Sequence, residues 1–179
     1  RQRQMCIRDS IKLIDKLNLN IENAYNFLKN KSTTEHRFEK VEIINGTRFI
    51  NDSKSTNFHS VSSASERVNN ALLIMHGITK NISTSELQLS NEIKKIIIPE
   101  DMKLDQNLFH CEVEVIKSIF ELEDIVKKDF QRFETVLFSC GGSSFNDFEN
   151  YIERGKFFKS IVKNLKGCLL YTSPSPRDQ

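Results

Sequence analysis

Three short polar segments of this chain carry the residue types best suited to holding anions. The first is Asp52-Ser53-Lys54-Ser55-Thr56-Asn57, which puts a carboxylate, a cation and three hydroxyls into six residues. A lysine beside hydroxyls at a helix start can hold a phosphate, because the unpaired N–H groups and positive dipole end of the helix add to its charge. The same run also reads as a plain surface turn in which Asn57 caps a helix, and on composition alone the plain turn is favoured. The second segment, His76-Gly77-Ile78-Thr79-Lys80, is a weaker signal. A lone lysine after a glycine is usually solvated, and His76 reads either as a general base or as a satisfied histidine at a strand end. The third, Cys140-Gly141-Gly142-Ser143-Ser144, lets backbone approach a ligand closely and offers hydroxyls to a carboxylate or phosphate. A tight strand-to-helix turn explains it equally well. His36-Arg37 reads as a surface pair, and His59 and His110 have no partner at metal-ligand spacing. No Walker-type loop, dinucleotide fingerprint or zinc signature occurs.

These segments need elements to position them. Val41–Ile44, Asn45-Gly46 and Thr47–Ile50 predict a β-hairpin over 38–51, since Asn-Gly is a strong two-residue hairpin turn. A helix is expected from Asn57 to about Val68. Ala71–Met75 is a continuous apolar run and reads as a buried strand. Further strands are expected at Lys95–Ile98, stopped by Pro99, at Val113–Val115 and at Thr135–Ser139. Helices are expected over Glu86–Ile93, over Ile119–Val126 with Phe120, Leu122, Ile125 and Val126 inward, and over about Asn146–Leu165. The last carries an apolar stripe of Phe148, Tyr151, Ile152, Phe158, Ile161, Val162 and Leu165. Gly155 inside it costs about 1 kcal/mol relative to alanine and so points to close packing. Two short helices are expected at 11–17 and 20–29, before a polar linker at 31–34. Strands alternating with helices predict a three-layer, Rossmann-like α/β domain with a mostly parallel sheet, from about 36 to 166, entered by the hairpin. In such a sheet, the three polar segments all leave the carboxyl ends of strands, where ligands bind.

The chain has 179 residues, 38% hydrophobic and 28% charged, enough for one domain with a real core. No 18-residue apolar run occurs, which argues against a membrane span. With 26 basic and 24 acidic residues, the charge predicts no nucleic-acid and no membrane partner. Both ends look foreign to the fold. Residues 1–10 and 168–178 resemble translated sequencing adapters: with suitable codons, the string for Met5–Asp9, preceded by AG and followed by A, is the reverse complement of that for Cys168–Ser173. Setting aside Arg1, Arg3, Arg8 and Arg177, with Asp9 and Asp178, leaves 22 basic and 22 acidic residues. The cysteines at 6, 111, 140 and 168 share no metal spacing and suggest no disulfide framework, and Cys111 and Cys140 are expected to be inert small apolar residues.

Taken together, His36-Arg37-Phe38-Glu39, the run Phe49-Ile50-Asn51-Asp52-Ser53-Lys54-Ser55-Thr56-Asn57, and Ser144-Phe145-Asn146-Asp147-Phe148 through Glu153-Arg154-Gly155 resemble one family. It is that of the peptidoglycan ligases that join D-glutamate to UDP-N-acetylmuramoyl-L-alanine. The likeness covers about 11–166. It implies an ATP-dependent amide-forming ligase acting through an acyl phosphate, with ATP and Mg2+ as cofactors, the metal held mainly by other domains. It implies a cytoplasmic monomer whose partners are ATP, D-glutamate and UDP-N-acetylmuramoyl-L-alanine. By motif position, Arg37, Asp52 and Lys54 are expected at the nucleotide, Asp52 probing its ribose. Thr56, Lys80, Ser144 and Tyr151 are expected at D-glutamate, with no catalytic residue and no metal ligand assigned in this chain. The implied division is adapter-derived sequence at 1–10 and 168–179, the helical tail of a central ATPase domain at 11–35, and a C-terminal amino-acid- and nucleotide-binding domain at 36–167. Alone, such a piece is expected to be inactive. The family usually begins the second loop Gly-Gly, with an acid before the lysine, where this chain has His76 and Ile78-Thr79. It prefers Pro and Ala near Cys140-Gly141-Gly142, and Phe where Tyr151 stands. The competing readings are another ligase of the same superfamily, with a different amino acid or a folate-type substrate, and a non-catalytic α/β binding module.

Overall fold

The computed structural model of the chain describes residues 34–79 and 83–171, with 12–14, 16, 17, 20–23 and 26 before them. It divides into two units, residues 1–33 and 34–179. In the first, 12–14, 16, 21–23 and 26 are helical, in line with two short helices. Asn20 caps the second of these, its Oδ1 accepting from the Glu22 and Asn23 N–H groups.

The second unit is built on a six-stranded sheet in the order β1-β2-β6-β3-β4-β5. The strands are β1 (Glu39–Ile44), β2 (Thr47–Asp52), β3 (Ala71–His76), β4 (Ile93–Pro99), β5 (Glu112–Ile116) and β6 (Thr135–Gly141). Only β1 runs antiparallel, paired with β2 through the predicted Asn45-Gly46 turn. Both turn residues have positive φ, +49° and +86°, as the favoured hairpin turn requires. The remaining pairs are parallel. The helices are α1 (Phe58–Ser65), α2 (Leu122–Asp129) and α3 (Tyr151–Tyr171).

Alternation along the strands divides the core in two. Phe49, Leu72, Ile74, Ile97, Val136 and Phe138 pack with Leu122 and Val126 of α2 and with Phe158, Ile161, Val162 and Leu165 of α3. Ile50, Leu73, Met75, Ile96 and Leu137 face the other way, onto Phe58, Val61 and Ala64 of α1. The fold is therefore a three-layer α/β domain, mostly parallel, with a hairpin at its start. Every residue of β3 is buried, its five apolar residues as a central strand covered on both faces requires, and His76 at its end with them. Cys140 is fully buried, and burial pushes its thiol up to about 12.

Three local expectations fail for identifiable reasons. Glu86–Ile93 is not a helix: a single 3-10 turn at Thr84–Glu86 gives way to irregular chain and a turn at Asn91-Glu92 before β4. The Ser90 N–H there is taken by Ser65 Oγ, and the Glu92 side chain accepts from the Asn70 N–H, so tertiary partners displace helical ones. Phe120 lies on a 3-10 turn, Ile119–Glu121, whose tighter winding turns Ile119 inward and leaves Phe120 59% exposed. The long helix begins at Tyr151 rather than near Asn146. Asn150 Oδ1 accepts from the Ile152 and Glu153 N–H groups and sets that start. At its far end α3 continues through Cys168 to Tyr171.

Edge strand β5 is pinned by charge. Lys95 of β4 is only 3% exposed, and its Nζ lies 2.6 Å from Asp129, 2.6 Å from Glu114 and 2.9 Å from Glu112. Burial opposes the ammonium, but hydrogen bonds to Asp129, Glu114 and Glu112 outweigh it and hold its pKa above the usual value. The same contact with Lys95 lowers the pKa of Asp129. Lys95→Met is expected to cost about 2 kcal/mol at neutral pH, since it leaves Asp129 without its buried partner while half-exposed Glu112 adds little. The depressed Asp129 pKa makes its contribution present above the unfolded pKa and lost as pH falls through the folded one. The deficit of the variant in urea titrations should therefore shrink in acid, and a deficit independent of pH would contradict this.

Candidate functional site

β2, β6 and β3 lie side by side and point the same way, so their carboxyl ends deliver the three polar segments to one rim. The loops are joined there by backbone. The Gly141 N–H donates to the Ser55 carbonyl at 3.0 Å. Ile78 and Ser143 exchange two bonds of 3.0 Å, an isolated antiparallel bridge. The glycines permit this approach. A Cβ on Gly77 would fall 2.1 Å from the Ser143 carbonyl oxygen, at a φ of +112° that other residues rarely adopt.

Beneath the rim is a polar floor. Arg154 of α3 has no exposed surface, yet its acceptors are neutral. Nη1 donates to the carbonyls of His76 (3.1 Å) and Gly142 (3.0 Å), and Nη2 to that of Ser53 (2.8 Å). One guanidinium thus ties all three loops. Asp52 is 8% exposed, and burial raises its pKa. Its carboxylate accepts from Ser55 Oγ at 2.6 Å, Ser139 Oγ at 2.8 Å and the Phe38 N–H at 3.0 Å. Asn51 Nδ2 sits 2.9 Å from His36 Nδ1, and Ser53 Oγ donates to the Tyr151 carbonyl. His36 is buried, not part of a surface pair as expected, and burial lowers its pKa.

The expected site residues occupy distinct places around this floor. Lys54 is half-buried, with Nζ 3.6 Å from the centre of the half-buried Tyr151 ring, so these two meet directly. Thr56 is exposed, next to Ser55 and thus to the backbone junction with Gly141. Ser144 is buried, directly after the bridge residue Ser143. Asp52 lies in the floor, engaged by the serines. Arg37 is exposed, its N–H donating to the Thr34 carbonyl. Lys80 lies outside the described residues. Asn57 caps α1, its Oδ1 accepting from the Ser60 N–H at 2.9 Å, the role that the surface-turn reading gave it. Sequence reasoning gave no role to Arg154 or to the contact between His76 and Asp147. The signal was thin: an arginine next to a glycine in a helix, and a histidine ending an otherwise apolar strand.

The architecture is that of an open, mostly parallel α/β domain, and its three loops converge at a switch in strand order, the place where such sheets commonly bind ligands. No family model matches the chain. Over 178 residues it is 32% identical to the UDP-N-acetylmuramoylalanine--D-glutamate ligase of Pseudothermotoga lettingae, a match covering 89% of this chain and 39% of that protein. To the enzyme of that name from Thermosipho africanus it is 37% identical over 150 residues, 78% of this chain and 34% of the relative. The Francisella tularensis subsp. holarctica protein of the same name is 27% identical, covering 87% and 39%. A solved domain from a Haemophilus ducreyi protein, described as a UDP-N-acetylmuramate:L-alanyl-gamma-D-glutamyl-medo-diaminopimelate ligase, is similar with a TM-score of 0.47 at 12% identity, covering 74% of this chain and 99% of that one. The chain is a homologue of the UDP-N-acetylmuramoylalanine--D-glutamate ligases along most of its length, and it spans about two fifths of the length of those relatives.

Proposed function

We propose that this chain forms the part of an ATP-dependent ligase that receives D-glutamate and faces the nucleotide, in the step that adds D-glutamate to UDP-N-acetylmuramoyl-L-alanine. The observation that supports it most is the union of three loops at one rim, with Lys54, Thr56 and Ser144 on or beside the joined residues. Residues 36–167 are this domain in the proposal, 11–35 the end of a central ATPase domain, and 1–10 with 168–179 sequence of adapter origin. The intact protein works as a cytoplasmic monomer, and this piece alone is inactive. Among the described residues, no helix is long and apolar enough to cross a membrane.

The chemistry divides accordingly. ATP phosphorylates the substrate carboxyl, the amine of D-glutamate attacks the acyl phosphate, and the tetrahedral intermediate collapses to an amide and phosphate. Lys54 and Arg37 bring positive charge to the phosphates as charge develops on them. Asp52, its carboxylate occupied by the Ser55 and Ser139 hydroxyls and the Phe38 N–H, shapes the nucleotide side of the cleft. Thr56 and Ser144 supply hydroxyls, and Lys80 a cation, to the two carboxylates of D-glutamate, over which the Tyr151 ring packs. Among the described residues, no group of three or more His, Cys, Asp or Glu side chains gathers as a metal site, and in the proposal Mg2+ is held mainly by other domains.

The test is turnover by the intact gene product with UDP-N-acetylmuramoyl-L-alanine and ATP. D-glutamate is expected to support it and L-glutamate not. Equal rates with L-glutamate or L-alanine would reject the proposal in favour of another ligase of the superfamily. In the same assay, Lys54→Ala is expected to reduce turnover by at least about tenfold, the effect of losing one phosphate-directed charge. Unchanged kinetics would remove Lys54 from the site.

A further inference from the structure

The loop that carries Ser144 is braced by a pair of side chains with no part in the chemistry above. His76, the last residue of β3, has no exposed surface. Its Nε2 lies 2.8 Å from Asp147 Oδ2, and its Nδ1 lies 3.3 Å from Arg154 Nη1. A guanidinium can only donate, so Nδ1 accepts, the proton sits on Nε2, and Nε2 donates to Asp147. Both ring nitrogens of a neutral imidazole are then satisfied. The N–H groups of Asp147 and Phe148 donate to the Ser144 carbonyl at 3.3 and 2.9 Å, and the Phe148 ring meets the imidazole edge-on at 5.5 Å. The chain from Ser144 to Phe148 is thus one turn, and His76 is its anchor on the sheet.

We propose that His76 is a positioning residue: by holding Asp147 it fixes the turn that bears Ser144, and so sets the affinity of the cleft for an acidic amino acid without touching that ligand. This rests on the ligase reading above. The charged groups facing the imidazole are Asp147 from the turn, Arg154 from α3 and Asp101 beyond β4. Burial is the largest influence and lowers its pKa, Arg154 adds to that, and Asp147 and Asp101 oppose it. Protonation would place an Nδ1–H against the Arg154 donor. The neutral imidazole is therefore the form that serves Arg154 and Asp147 together, and burial favours it by lowering the pKa.

The experiment is steady-state kinetics of the intact ligase at neutral pH. His76→Ala is expected to raise KM for D-glutamate about tenfold, the loss of one hydrogen bond to a charged group, while kcat and KM for ATP stay within about twofold. His76→Gln places an amide N–H near the Nε2 position and does not titrate. It is expected to restore KM for D-glutamate to within about twofold of the unsubstituted enzyme. An unchanged KM for D-glutamate in His76→Ala, equal losses in every parameter, or a KM that stays raised in His76→Gln would each overturn the inference. Nitrogen NMR of the His76 ring reads the tautomer without turnover, and a proton on Nδ1 would overturn it too. Absence of D-glutamate-dependent turnover in the unsubstituted enzyme would sink the ligase reading and this inference together, whereas normal turnover with an unaltered His76→Ala KM sinks this inference alone.

Discussion

Arg154→Met is expected to lower the free energy of unfolding by about 3 kcal/mol, because methionine keeps much of the volume but none of the donors. Three buried carbonyls, those of Ser53, His76 and Gly142, would lose their shared partner, at a cost of about 1 kcal/mol or more each. Removing a buried guanidinium also relieves its own desolvation, and replacing a whole buried ion pair can be neutral for that reason. Here the argument runs the other way. The acceptors are main chain, remain after the substitution, and have no water to turn to. Arg154→Lys is expected to recover only part of the loss, since one ammonium cannot span three loops as a planar fork does. Urea titrations of the chain read both variants. A midpoint for Arg154→Met equal to that of the unsubstituted chain would show that the rim holds together without its clasp.

The second large effect reverses a propensity rule. On helix propensity alone, Gly155→Ala in α3 should gain about 1 kcal/mol. The Cβ would instead fall 2.2 Å from His36 Nδ1 and 2.5 Å from Ser53 Oγ. Neither atom is free to move. His36 and Ser53 are buried, His36 is bonded to Asn51, and Ser53 to the Tyr151 carbonyl. The expected outcome is a net loss of about 3 kcal/mol, at the upper end for overpacking, because either the floor beneath Asp52 shifts or α3 moves outward. Thermal unfolding measures it, and an alanine variant melting above the parent would refute the close contact.

How far the sequence alone reaches can be judged from particular elements. The hairpin was legible because Asn45-Gly46 tolerates positive φ at both positions, a requirement carried by the residues themselves. The strands at 71–76, 93–99 and 135–141 were legible because continuous apolar runs have nowhere to go but a sheet covered on both faces. Glu86–Ile93 departs from the helical pattern because its polar groups find partners far away in sequence, the Ser90 N–H at Ser65 Oγ, the Glu92 carboxylate at the Asn70 N–H and the Glu92 carbonyl at the Ala71 N–H, which no local pattern records. The start of α3 was misplaced by several residues because Asn150, not the apolar stripe, decides where helical bonding begins.

The site divides in the same way. Residue types and spacing determined which segments could hold anions: Lys54 among hydroxyls, Ser144 after two glycines, and the helix start capped by Asn57. They also determined that these segments follow strands, which places each at a carboxyl end. Only the tertiary structure decided that β6 inserts between β2 and β3, and strand order brings the three ends together. It alone decided that Arg154, about a hundred residues from Ser53 in the chain, closes them from below, and that His76 grips Asp147. The physical reason is that local sequence sets φ/ψ preference and the faces that must be buried, whereas the partner of a buried polar group is set by whichever distant segment the packed sheet brings within hydrogen-bonding reach.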